Sequence, residues 1–123
     1  MTQAVVHFEI IGTDPAALRE YYGALFGWEF DTSGPVAPEV SEAGNYGFIG
    51  NTGGIPGGVG GGADYPGRVL FYVGVPDVAA ALRKAENLGG TSTMGPSRVP
   101  GGALVVAHFT DPEGHLVGLA GPA

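Results

Sequence analysis

From Ala4 to Ile11 the chain is rich in Val, Ile and Phe, with His7 and Glu9 alternating against Phe8 and Ile10. A period of two predicts a β-strand that carries His7 and Glu9 on one face. Thr13-Asp14-Pro15 follows as a helix start, with a side-chain acceptor at the cap and Pro at the first helical position. Leu18, Tyr21, Tyr22, Leu25 and Phe26 then recur at spacings of three and four, which predicts an amphipathic helix stopped by Gly27. This pattern assigns Tyr21, Tyr22 and Phe26 to the core. Trp28-Glu29-Phe30 reads as a short strand leaving the helix, where Trp28 and Phe30 could also form a rim on which a flat ligand stacks.

The pattern repeats. Arg68 to Val75 is a second apolar strand, Pro76-Asp77 a second cap, and Ala80, Leu82, Ala85 and Leu88 a second helix stopped by Gly89-Gly90. A shift of 63 residues superposes the segments without a gap, with Val6/Val69, Phe8/Phe71, Asp14/Asp77, Leu25/Leu88 and Gly27/Gly90 among the identities. This predicts an internal duplication of a strand–helix unit. Sheet-like sequence follows each helix. In the second half it is Ala103–Phe109, an Asp111-Pro112-Glu113-Gly114 turn, and His115–Leu119. In the first half it is Tyr46–Gly50 and then a Gly-rich stretch from Asn51 to Gly62. Each half therefore reads as β-α-β-β-β, the first over 1–62 and the second over 67–121, within a single α+β domain with two short helices over curved sheet.

Composition narrows the function classes. The chain has 123 residues, a length suited to one domain with its own core. With no Cys there is no disulfide, thiol nucleophile or Cys-ligated metal. Five basic against twelve acidic side chains give a net charge of −7, which argues against nucleic acid or an anionic membrane as partner. No apolar run approaches the ~20 residues of a membrane span and no leader pattern opens the chain, so the expected location is the cytoplasm. Eleven of the 24 Gly lie between Gly44 and Gly67. The run Gly53–Gly62 lacks the Gly-Lys-Ser/Thr ending and the following helix of a phosphate loop, so it predicts strand and loops that let a ligand or a neighbouring chain approach the backbone. Arg98, expected in a loop, could meet an anionic ligand, whereas His115 follows a turn Gly and is expected to be exposed.

The tandem β-α-β-β-β order, His7 in the first strand, the Asp14-Pro15 cap, Tyr21 to Phe30 reading YYGALFGWEF, and Phe109 to Leu119 reading FTDPEGHLVGL together resemble the vicinal oxygen chelate superfamily. Glyoxalase I, extradiol dioxygenases, fosfomycin-modifying enzymes and bleomycin-resistance binding proteins belong to that group. The resemblance implies two modules forming a curved, cup-like mixed sheet with the helices outside, often completed by a second chain in a homodimer. It also implies metal ligands in the first and last strands of each module. Carried over, those positions fall on His7, Leu70, Gly118 and the stretch from Asn51 to Gly62, which holds no Asp, Glu or His. Only His7 can donate, and a catalytic metal needs about three protein ligands. His7, Glu9 and His108 could form a relocated triad only if the strand register places His108 on the same face.

The expectation is therefore a site without metal or other cofactor. Under the duplication His7 matches Leu70 and Glu9 matches Tyr72, which would bring these four toward one cavity with Phe48, His108 and Trp28 around them. An apolar, aromatic pocket with a few polar groups suits a small hydrophobic or polycyclic aromatic molecule. The first reading is a binding protein that holds such a molecule, as sequestering members of the superfamily do in antibiotic self-resistance. Two enzyme readings stay open beside it: a glyoxalase-like lyase, isomerase or dioxygenase with a shifted metal site, and a metal-free acid–base enzyme with Glu9 or His7 as catalytic base.

Overall fold

The computed structural model describes residues 2–50 and 52–123; Asn51, the first residue of the Gly-rich stretch, lies outside the described residues. The described chain forms β1 (Val5–Gly12), α1 (Pro15–Phe26), β2 (Gly47–Ile49), β3 (Gly57–Gly61), β4 (Arg68–Gly74), α2 (Val78–Asn87), β5 (Thr91–Arg98), β6 (Leu104–Thr110) and β7 (Leu116–Pro122). With two helices and seven strands in mixed parallel and antiparallel pairings, the protein is an α+β fold. No described helix is long and apolar enough to cross a membrane.

Two compact units divide the chain, one spanning His7–Val69 and the other Leu70–Ala123 with the residues up to Val6. In the first, β3 lies between β2 and β1, antiparallel to β2 and parallel to β1. Asp14 caps α1 by accepting from the Ala17 amide at 3.2 Å, Pro15 sits in its first turn, and Gly27 closes it in the left-handed conformation at φ 72°. Trp28-Glu29-Phe30 forms no strand, and the expected pairing shrinks to a single bridge between Asp31 and Phe48.

The apolar face of α1 departs from expectation as well. Tyr21, Leu25 and Phe26 are 61%, 56% and 56% exposed, so Tyr21 and Phe26 are not core residues. The helix packs on β3, a five-residue strand reading GGVGG, which offers it few side chains. The buried aliphatic residues of this unit are instead Ile11, Ala37, Val40, Ile49 and Val59, with the Ser41 hydroxyl receiving the Gly61 amide at 2.9 Å.

The second unit is the fuller one. Its strands run in the order β4-β7-β6-β5, with β4 and β7 parallel and the other neighbours antiparallel. Asp77 caps α2 through the Ala80 amide at 3.0 Å. The helix buries Val78 and Leu82 against Val75, Ala107 and Leu119, the core of this unit. Asp111 shapes the β6–β7 turn, accepting from the Glu113 and His115 amides at 2.9 Å each, and Gly114 takes φ 88°. Arg98 ends β5 rather than lying in a loop, and its side chain is exposed.

Candidate active site

The first unit assembles its site on β1. Along that strand His7 is half-buried and Glu9 is 2% exposed, both on the face predicted from the alternation. Between them stands a group that the sequence pattern did not single out. The Tyr46 hydroxyl lies 2.7 Å from His7 Nε2 and donates to Glu9 Oε1 at 2.9 Å. Burial pushes the His7 imidazole down to about 4, so it is neutral near pH 7. Since Tyr46 has one proton and gives it to Glu9, His7 Nε2 carries the hydrogen that completes the chain: imidazole N–H to phenol oxygen, phenol O–H to carboxylate. The reverse order, Glu9 to Tyr46 to His7, needs one more proton, on Glu9, and the other imidazole tautomer.

Glycine makes the arrangement possible. In the β1–β3 register Glu9 pairs with Gly58, and the Tyr46 ring lies where a side chain on Gly58 would begin. A Cβ on Gly60 would likewise meet Tyr46 Cδ1 at 2.7 Å. On the other face of β3, the Phe8 ring fills the side-chain position of Gly57. The Gly-rich strand thus admits aromatic rings of its own unit on both faces, where the sequence suggested approach by a ligand or another chain. Upstream, Arg19 Nη1 donates to the Asn45 carbonyl at 2.6 Å and fixes the backbone that delivers Tyr46. The spacing Gly58-x-Gly60 beside a lone Tyr was the available signal, and it reads as a ring lying across a strand.

Phe48 joins this site, its ring stacked on His7 at 6.2 Å and 10°, while 45% of the residue remains exposed. The Tyr46 ring is nearly parallel to the same imidazole, at 15°. Trp28 belongs elsewhere, packing on Phe8, Tyr22 and Phe26 at 5.3, 5.8 and 5.0 Å. That aromatic group lies with α1 and reaches the His7 ring through Phe8, which stacks on it at 6.5 Å.

Tyr72, Gly118 and His108 form one cross-strand row in the second unit, through the β4–β7 and β6–β7 registers. The register answers which face His108 takes: that of Tyr72. Tyr72 lays its ring over Gly118 and brings its hydroxyl to His108 Nε2 at 2.7 Å. Both residues are almost fully buried, at 2% and 1% exposure, and Leu70 beside them is 4% exposed. The predicted residues therefore fall into two groups: His7, Glu9 and Phe48 around Tyr46, and Leu70, Tyr72 and His108 around Gly118.

A model of the Glyoxalase/Bleomycin resistance protein/Dioxygenase superfamily matches residues 4–119. The chain belongs to that superfamily. Its fold is shared with solved structures of low identity. A methylmalonyl-CoA epimerase in complex with methylmalonyl-CoA and NH4+ is 19% identical, with a TM-score of 0.70 over 100% of this chain and 96% of that one. A Streptomyces coelicolor methylmalonyl-CoA epimerase variant in complex with 2-nitronate-propionyl-CoA is 18% identical, with a TM-score of 0.71 over 100% and 96%. The Mycobacterium tuberculosis methylmalonyl-CoA epimerase is 15% identical, with a TM-score of 0.70 over 97% and 87%. At these identities the likeness is one of fold. No curated protein sequence matches the chain significantly.

The metal that the superfamily implies does not fit the residues of this member. Gly118 has no donor atom, and the Tyr72 ring occupies the space a carboxylate there would need. Gly58 stands to Glu9 in the register as Gly118 stands to Tyr72, so it is the matching position of the first module, and the Tyr46 ring fills it. Leu70 is a buried apolar side chain. Among the described residues no group of three His, Cys, Asp or Glu side chains converges to hold a metal.

Proposed function

We propose that this superfamily member catalyses a metal-independent proton transfer on a small carbonyl compound, with Glu9 as base and Tyr46 as hydrogen-bond donor to the developing enolate. The observation that carries this reading is the Glu9–Tyr46–His7 chain, in which a buried carboxylate and a neutral imidazole share one phenol. Glu9 takes a proton from the carbon next to the carbonyl and becomes a neutral acid, and the bond's electron pair becomes the enolate. Tyr46 turns its hydroxyl from Glu9 to the enolate oxygen, and His7 supports the phenol oxygen from behind. Glu9 exchanges that proton with solvent and returns one to the α-carbon, or to the far carbon of a conjugated enolate, which completes an α-hydrogen exchange or an isomerisation with no net change in charge. The fold shared with epimerases supports this reaction class.

The test is solvent deuterium incorporation, followed by NMR over a panel of dicarbonyl compounds and acyl thioesters. Wild type is expected to exchange the α-hydrogen of at least one of them, and Glu9→Gln to lose about 100-fold or more. Absence of exchange across the panel, or exchange unchanged in Glu9→Gln, overturns the proposal.

The near-parallel His7 and Phe48 rings favour a second reading, in which the site holds a flat aromatic molecule without turnover. Saturable thermal stabilisation by such a molecule, lost in Phe48→Ala and accompanied by no exchange, would select that reading.

A further inference from the structure

Asp31, Phe48, Gly58 and Glu9 form one cross-strand row. Asp31 and Phe48 exchange both backbone hydrogen bonds, at 3.0 and 2.8 Å. Gly58 is the register partner of Phe48 on one side and of Glu9 on the other. Residues directly opposite each other point to the same face, so Asp31, Phe48 and Glu9 share the face over which Tyr46 lies. Exposure rises along the row, from 2% at Glu9 to 45% at Phe48 and an exposed Asp31. The site therefore opens at its Phe48 end, where the ring stands between two carboxylates. Ser33 donates to Asp31 Oδ1 from its hydroxyl at 2.5 Å and from its amide at 2.9 Å, which holds that carboxyl below the usual carboxylate range.

The cations of this unit lie away from that face. His7–Val69 has eight acidic side chains against two arginines, and so carries −6 of the net −7. Gly47 stands between Tyr46 and Phe48 and points to the other face, where a Cβ on it would meet Arg19 Cδ at 2.5 Å. Arg68 lies beside α1 with Leu18, Tyr21 and Ile10, which alternates with Glu9 along β1. We infer that the substrate is an aryl ketone without an anionic group, its ring placed on Phe48 and its carbonyl toward Tyr46. The Phe48 ring gives an aryl group a face to stack on that an alkyl group uses less well. A carboxylate or phosphate carried on that aryl group meets Asp31 and Glu9 with no cation on the same face to offset them. This inference rests on the proton transfer proposed above, for which it names the substrate class and makes Phe48 the residue that sets specificity.

1-Phenylpropan-1-one is the probe, with 1-cyclohexylpropan-1-one as its non-aromatic counterpart and 4-propionylbenzoate as its anionic one. Dissociation constants are read from the shifts of the Phe48 and His7 ring resonances. The cyclohexyl ketone is expected to bind about threefold or more weakly than the phenyl ketone, a preference lost in Phe48→Leu. The benzoate is expected to bind about fivefold or more weakly at low salt, with the gap narrowing in Asp31→Asn and in ~0.5 M salt. Equal or tighter binding of either counterpart, or ring resonances unmoved by the phenyl ketone, overturns the inference. The same constants are measured in Glu9→Gln, so the preferences are read without turnover. Preferences present without exchange in wild type strike the proton transfer alone, whereas exchange without the preferences strikes this inference alone.

Discussion

His7 is the residue at which burial has the most direct consequence for chemistry. Its folded value of about 4 lies below the ordinary 6.5, so as pH falls the unfolded chain takes up a proton first. The stability contributed by neutral His7 is therefore complete above pH 6.5 and is lost between 6.5 and about 4, up to roughly 3 kcal/mol. Urea denaturation across that window should show a steeper pH slope for wild type than for His7→Gln, and coincident slopes would refute the assignment. Tyr46→Phe tests the same chain from its centre. It keeps the ring over β3 but deletes the hydroxyl, leaving Glu9 without that donor, at an expected cost of about 1–3 kcal/mol in chemical denaturation together with loss of any proton exchange. His7 and Glu9 were legible as candidates because strand alternation places them on one face. Tyr46 was not, because it joins Glu9 and His7 across sequence separations of 37 and 39 residues, which no local period reports.

At the scale of elements, the strands that carry glycine and the rings that cover them act as pairs. β3 is buried along its whole length although it offers only Val59 as a side chain, since Phe8 and Tyr46 supply its cover. Gly58→Ala should therefore destabilise the protein by about 2 kcal/mol or more, because the added methyl has no space while Tyr46 holds its position. In a Tyr46→Ala background the same substitution should cost far less. A double-mutant cycle measures the difference, and additivity between the two changes would show that the ring and the glycine are not coupled. The helix boundaries were readable from Asp14, Pro15, Gly27 and Asp77, because caps and stops act within one turn. The exposure of α1 was not readable. Its periodic apolar face satisfies every local rule, yet Tyr21, Leu25 and Phe26 stay in solvent, and β3, on which the helix packs, offers it few side chains.

For the whole molecule, the absence of donors at Leu70, Gly58 and Gly118 predicts how the chain responds to metal removal. Any proton exchange it catalyses should persist after extensive chelation, and loss of exchange restored by one divalent ion would contradict the fit of these residues. By itself the amino-acid sequence determined the duplicated strand–helix pattern, the α+β class, the helix caps and the donor-free side chains at Leu70 and Gly118, since these depend on local spacing or on which side chain occupies a position. Only the tertiary structure decided that Tyr46 bridges His7 and Glu9 and that Tyr72 crosses Gly118 to His108. Each of these depends on strand register and on side chains meeting from distant parts of the chain, and a glycine in sequence does not say which ring will lie across it.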